Sequence, residues 1–126
     1  MTCFWTGLVE GLLSKKLIPR GMQPMTLIRF LKKNNRQPRN VLWNNKPLSI
    51  KELQEHVEAV KVYNMNGIYN GHLCSVCDSF LLLVAELYNL ILVHNYNGHI
   101  IIYKHIKTDG MSLRFGSNLG HFWFSR

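Results

Sequence analysis

With three cysteines, a small and odd number, the sequence builds no disulfide framework and suits a reducing compartment. A long apolar run is missing too. The longest stretch, Phe80 to Ala85 with Leu87, Leu90, Ile91 and Leu92 beyond it, is broken by Glu86 and Asn89 and is too short to cross a bilayer. No basic-then-apolar leader pattern opens the sequence, because Met1 and Thr2 run straight into an amphipathic segment. Internal repeats and low-complexity tracts are absent. Together these absences predict a cytoplasmic protein with no transmembrane segment. Acidic residues are scarce: 7 Asp and Glu against 15 Lys and Arg leave a formal net charge of +8, which favours acidic or phosphate-bearing partners.

Hydrophobic residues make up 47% of the 126, enough for one domain over residues 1–126 with one modest core. Phe4, Leu8 and Leu12, flanked by Trp5, Val9 and Leu13, recur at helical spacing after Thr2, a natural N-cap. Pro19-Arg20-Gly21 breaks that helix. Pro24 starts a second one carrying Met25, Leu27, Ile28, Phe30 and Leu31, and Pro38 closes the region. After a turn at Asn44-Asn45-Lys46-Pro47, Ser49 and Glu52 form a capping box, Leu48 and Leu53 a hydrophobic staple, and Leu53, Val57 and Val60 a buried stripe. Asn64 to Gly71 reads as a loop, and Asp78 as the N-cap of an almost wholly apolar helix through Tyr88.

From Leu90 the period changes to strand-like runs: Leu90–Tyr96, His99–Ile106, Met111–Phe115 and Leu119–Phe124. Asn97-Gly98 and Asp109-Gly110 are hairpin signals, and Gly116-Ser117-Asn118 suits a three-residue loop. A two-residue turn at Asn97-Gly98 sets Tyr96 opposite His99, His94 opposite Ile101 and Leu92 opposite Tyr103, with Val93 and Ile102 on the other face. The expected class is α+β, with N-terminal helices packed on a mostly antiparallel C-terminal sheet.

Three groups of residues carry chemistry. The first is Cys3, in the opening turn of a helix, where the positive dipole end and unpaired N–H groups favour a thiolate. Beside Phe4 and Trp5 it also fits a small buried hydrophobe, so both readings stand. His121 lies in the last strand pattern, where alternation places it with Trp123 and opposite Phe122 and Phe124. A histidine beside such a thiol can take its proton and return it to a leaving amine. The second group, Lys32, Lys33, Arg36 and Arg39, is a basic cluster suited to a solvated face or to nucleic acid. The third, His72, Cys74 and Cys77, has metal-ligand spacing but no second Cys-x-x-Cys, so no metal or other cofactor is expected.

The order of these features, Cys-Phe-Trp opening a helix, a capped middle helix, a Gly-rich loop, Asp-Ser-Phe-Leu-Leu-Leu-Val-Ala-Glu-Leu, a Leu-Ile-Leu-Val strand and a late Gly-His-Phe-Trp, resembles the ovarian-tumour (OTU) family of papain-like cysteine proteases. The resemblance runs along nearly the whole sequence. It implies an OTU/papain-like fold and a thiol-dependent isopeptidase that removes ubiquitin or a related modifier, with Cys3 as nucleophile and His121 as general base. Compact viral members exist in the family, and a viral protein of this kind would work in the host cytoplasm. Where the family has Asp-Gly-x before the nucleophile, Met1 and Thr2 stand here, and Trp123 takes the place of the Asp or Asn often found two residues after the histidine. Asn118 and Asn95 are candidate orienting groups. The alternative is a non-catalytic domain of the same fold that binds ubiquitin, another protein or nucleic acid.

Overall fold

The computed structural model describes residues 3–64, 74–118 and 120–126, and the side chains at 3 and 74–76 fall outside that description. The expected N-cap Thr2, the 64–71 loop beyond Asn64, His72 and Leu119 therefore lie outside the described residues. The described elements run α1 (Cys3–Ser14), α2 (Pro24–Lys33), β1 (Val41–Trp43), β2 (Lys46–Pro47), α3 (Ile50–Val62), α4 (Cys74–Tyr88), β3 (Ile91–Tyr96), β4 (His99–His105), β5 (Ser112–Ser117) and β6 (Phe122–Ser125). The fold is α+β, and its six-stranded sheet is mostly antiparallel in the order β2-β1-β4-β3-β5-β6. No described helix is long and apolar enough to cross a membrane.

Local signals formed several of these elements as expected. Ser49 caps α3 with both halves of the capping box present, its side chain accepting from the Glu52 amide while the Glu52 carboxylate accepts from the Ser49 amide. Asn97 and Gly98 both take positive φ in the β3–β4 turn, and the hairpin register pairs Tyr96 with His99, His94 with Ile101 and Leu92 with Tyr103.

Other expectations need correction. Asp78 is not an N-cap but an internal residue of α4, where its carboxylate accepts a hydrogen bond from the Tyr103 hydroxyl. Asp109-Gly110 is not a hairpin turn, because β3 lies between β4 and β5 and pairs with β5 in parallel, so this segment crosses over an intervening strand. Gly116 and Ser117 belong to β5 rather than to the following loop. The Asn44-Asn45 turn is the tip of a small hairpin, β1–β2, and β1 extends the sheet by pairing with β4.

The helices cover one sheet face. Leu92, His94, Tyr103, Leu113, Phe115 and Phe122 point inward and are buried. α1 packs on β5 and β6, α4 on β1, β3 and β4, while α2 rests on α1 and α4 and α3 on α4. Close approach of α1 depends on Gly7 and Gly11, one helical turn apart: an added Cβ would lie 3.0 Å from the Phe122 ring at Gly7 and 2.8 Å from the Phe115 ring at Gly11. Trp5, Tyr63 and Phe80 complete an aromatic cluster, with the Trp5 indole N–H donating to the Tyr63 hydroxyl at 3.0 Å.

Candidate active site

Cys3 is the first residue of α1, and His121 immediately precedes β6. Their sequence neighbours meet: the rings of Phe4 and Phe122 are edge-to-face with centroids 4.9 Å apart. Both rings are buried, so the first turn of α1 is anchored to the start of β6 by core packing. The first N–H groups of an α-helix have no intrahelical partner, which gives this corner of the molecule hydrogen-bond donors and the positive end of a helix dipole.

His121 is exposed, and its imidazole stacks on the indole of Trp123 with centroids 5.5 Å apart and 26° between planes. The stack follows from strand alternation, which turns Phe122 into the core and leaves residues 121 and 123 together on the other side. The Trp123 indole lies over Gly116, where a Cβ would be 2.5 Å from the ring. Neither asparagine singled out as an orienting group bonds the imidazole through the contacts described. Asn95 Oδ1 accepts from the Gly98 amide at 2.8 Å and shapes the β3–β4 turn. Asn118 Oδ1 accepts from the Gly120 amide at 3.0 Å, and the Asn118 amide donates to the His121 carbonyl at 2.9 Å, closing the tight turn that leads into β6.

Beneath Phe122 is a buried polar pair that sequence reasoning did not single out. His94 Nε2 and Ser117 Oγ are 2.6 Å apart on the inward side of β3 and β5, and the His94 ring lies 5.4 Å from that of Phe122. A second pair, His56 Nδ1 and Ser79 Oγ at 2.8 Å, joins α3 to α4 under the ring of Trp43. Burial holds the His56 imidazole below its ordinary pKa, against the opposing pull of Glu52 and Glu55. With Ser79 only 2% exposed, its hydroxyl has no room for a substrate carbonyl. Both pairs are structural. Alternation in β3 and β5 would have placed His94 and Ser117 on one face, but their pairing needed the parallel register.

Two of the four residues in the basic cluster make contacts within the fold. Lys32 Nζ donates to the carbonyls of Val60, Lys61 and Tyr63 at 3.1, 2.8 and 2.8 Å and so caps the C-terminus of α3. Arg36 pairs at 3.3 Å with Glu86, a buried carboxylate that also accepts from the backbone and side-chain amides of Asn40. Lys33 and Arg39 are exposed. Of the three residues with metal-ligand spacing, His72 and the Cys74 side chain lie outside the described residues, while Cys77 is buried in the core. Among the described residues, no three His, Cys, Asp or Glu side chains gather as they would around a metal ion. No family model, curated protein or solved structure matches the chain.

Proposed function

We propose that the chain is a thiol isopeptidase of the OTU type, deubiquitinase-like, with Cys3 as nucleophile and His121 as general acid/base. The observation that supports it is the Phe4–Phe122 contact, which fastens the turn carrying Cys3 to the strand entry carrying His121. In the reaction, His121 accepts the thiol proton and the sulfur attacks the isopeptide carbonyl carbon. The C–N bond then breaks as the imidazolium gives its proton to the departing lysine amine. Water, deprotonated by His121, displaces the sulfur from the thioester, releasing a carboxylate and restoring the thiol. The first turn of α1, at the positive end of its helix dipole, faces the oxyanion. Stacking on Trp123 holds the imidazole in place of the carboxylate or amide that the family carries two residues after its histidine.

Incubation with a ubiquitin conjugate tests this reading. The wild type should release ubiquitin, Cys3→Ala should abolish release while retaining the fold, and His121→Ala should lower kcat/KM by about 100-fold or more. Release that persists in Cys3→Ala contradicts it. Two observations favour the non-catalytic alternative: both candidate orienting asparagines spend their carbonyl oxygens on turn amides, and the His121 ring stacks with Trp123 on the sheet face opposite the one α1 covers. Binding of ubiquitin without release by the wild type would establish that alternative.

A further inference from the structure

The outward face of the sheet is covered by no described helix, and its side chains form a consistent pattern. From the pairing register, Lys104, Ile91 and Ser112 share one outward row. Ile102, Val93, Arg114 and Ser125 share the next, and Ile100, Asn95, Gly116 and Trp123 the third. Ile100 is 50% exposed and Trp123 39%, high values for side chains of this size within strands. None of the seven carboxylates is on this face: Glu10 is on α1, Glu52, Glu55 and Glu58 on α3, Asp78 and Glu86 on α4, and Asp109 in the β4–β5 connection. Both of its fixed charges, Lys104 and Arg114, are positive. Val93, Ile100, Arg114 and Trp123 line an open groove of about 480 Å³.

We propose that this face binds single-stranded nucleic acid. Bases stack on the exposed side of the His121–Trp123 pair, while Arg114 and Lys104 neutralise phosphates. The register sets these groups on a diagonal. Arg114 lies one strand and one row from Trp123, and Lys104 two strands and one row from Arg114, steps of about 8 Å and about 12 Å at ordinary strand spacings. An apolar floor flanked by cations and an aromatic platform, with no carboxylate to repel phosphate, matches a polyanion with exposed flat bases. A duplex hides its base faces and offers that platform nothing to stack on.

Fluorescence anisotropy with a labelled oligouridylate of about ten nucleotides, a length within the range such sites occupy, tests the assignment. The wild type should bind at 50 mM salt and lose affinity steeply at 200 mM. Trp123→Ala should weaken binding tenfold or more, and Trp123→Phe should restore most of it because the ring face returns. Lys104→Ala and Arg114→Ala should each make the slope of log affinity against log salt shallower by about 0.7. Replacing Lys33 and Arg39 by alanine together should change nothing, and Cys3→Ala should bind as the wild type does, since this surface does not depend on the thiol. Absence of binding at 50 mM salt overturns the proposal. So does equal affinity for a duplex of the same length, or a loss from the Lys33/Arg39 pair as large as that from Lys104 and Arg114. Should Trp123→Ala fail to fold, the Phe variant and the two charge variants still decide the question.

Discussion

Two half-buried titratable side chains, His56 and Asp78, are held toward their neutral forms by burial, and they act on stability in opposite pH ranges. His56 has a folded pKa below its ordinary 6.5, so its contribution is fully present above that pH and is lost as pH falls through the folded value. Chemical denaturation from pH 7 down to pH 5 should show a decline in stability that is shallower in His56→Gln. Asp78 behaves inversely. Burial raises its pKa above 3.8, with the Tyr103 hydrogen bond opposing, so its contribution is present below 3.8 and is lost as pH rises through the folded value. Asp78→Asn keeps an acceptor for Tyr103 and removes the charge, and its stability relative to wild type should increase between pH 3 and pH 7. Equal pH profiles for variant and wild type would contradict either assignment. Neither environment was legible in the sequence. Asp78 looked like a cap because of its residue type, yet the helix begins at Cys74 and the carboxylate is used by a strand 25 residues away.

At the scale of elements, α1 sits close to the sheet because two of its positions have no side chain. Gly11→Ala gains about 1 kcal/mol in helix propensity but overpacks against Phe115 at a cost of about 1–3 kcal/mol. Thermal or denaturant unfolding should therefore show a net loss of about 1 kcal/mol, and a net gain would mean that α1 has room to move outward. The end of α3 depends on a residue from α2. Lys32→Met keeps the length of the side chain and removes three charge-assisted hydrogen bonds, so it should cost about 1–3 kcal/mol. The neighbouring Lys33→Met should stay within about 0.5 kcal/mol. Elements set by contacts a few residues apart were legible: the Ser49–Glu52 box and the Asn97-Gly98 hairpin follow from local hydrogen bonds and φ preferences. β1 was not, since three residues give too short a period to recognise, and its strand character comes from pairing with β4 about sixty residues later. The parallel β3–β5 pairing was hidden for the same reason. Asp109-Gly110 has the composition of a hairpin turn, but β5 pairs with β3 rather than with β4, a non-local pairing that no turn residue encodes.

For the whole molecule, one sheet face is packed with helices and the other carries aliphatic, cationic and aromatic side chains, with His121 at the corner near the first turn of α1. That asymmetry was half visible. Alternation in the hairpin showed apolar residues on both faces, but the face that α1 covers is a tertiary fact, seen where Gly7 and Gly11 lie against Phe122 and Phe115. Cys3 and His121 were legible as residue types at a helix start and a strand pattern; the Phe4–Phe122 contact that links their neighbours is a tertiary fact. The most direct test of the thiol chemistry is the rate of iodoacetamide alkylation at each cysteine, mapped by mass spectrometry from pH 5 to pH 9. Cys3 should react well before Cys77, which is 2% exposed, with a rate that rises at a pH below the free-thiol value of about 8.5. His121→Ala should move that rise toward the free-thiol value without unfolding the protein. A Cys3 that titrates like a free thiol in both proteins would contradict a catalytic pairing of Cys3 with His121.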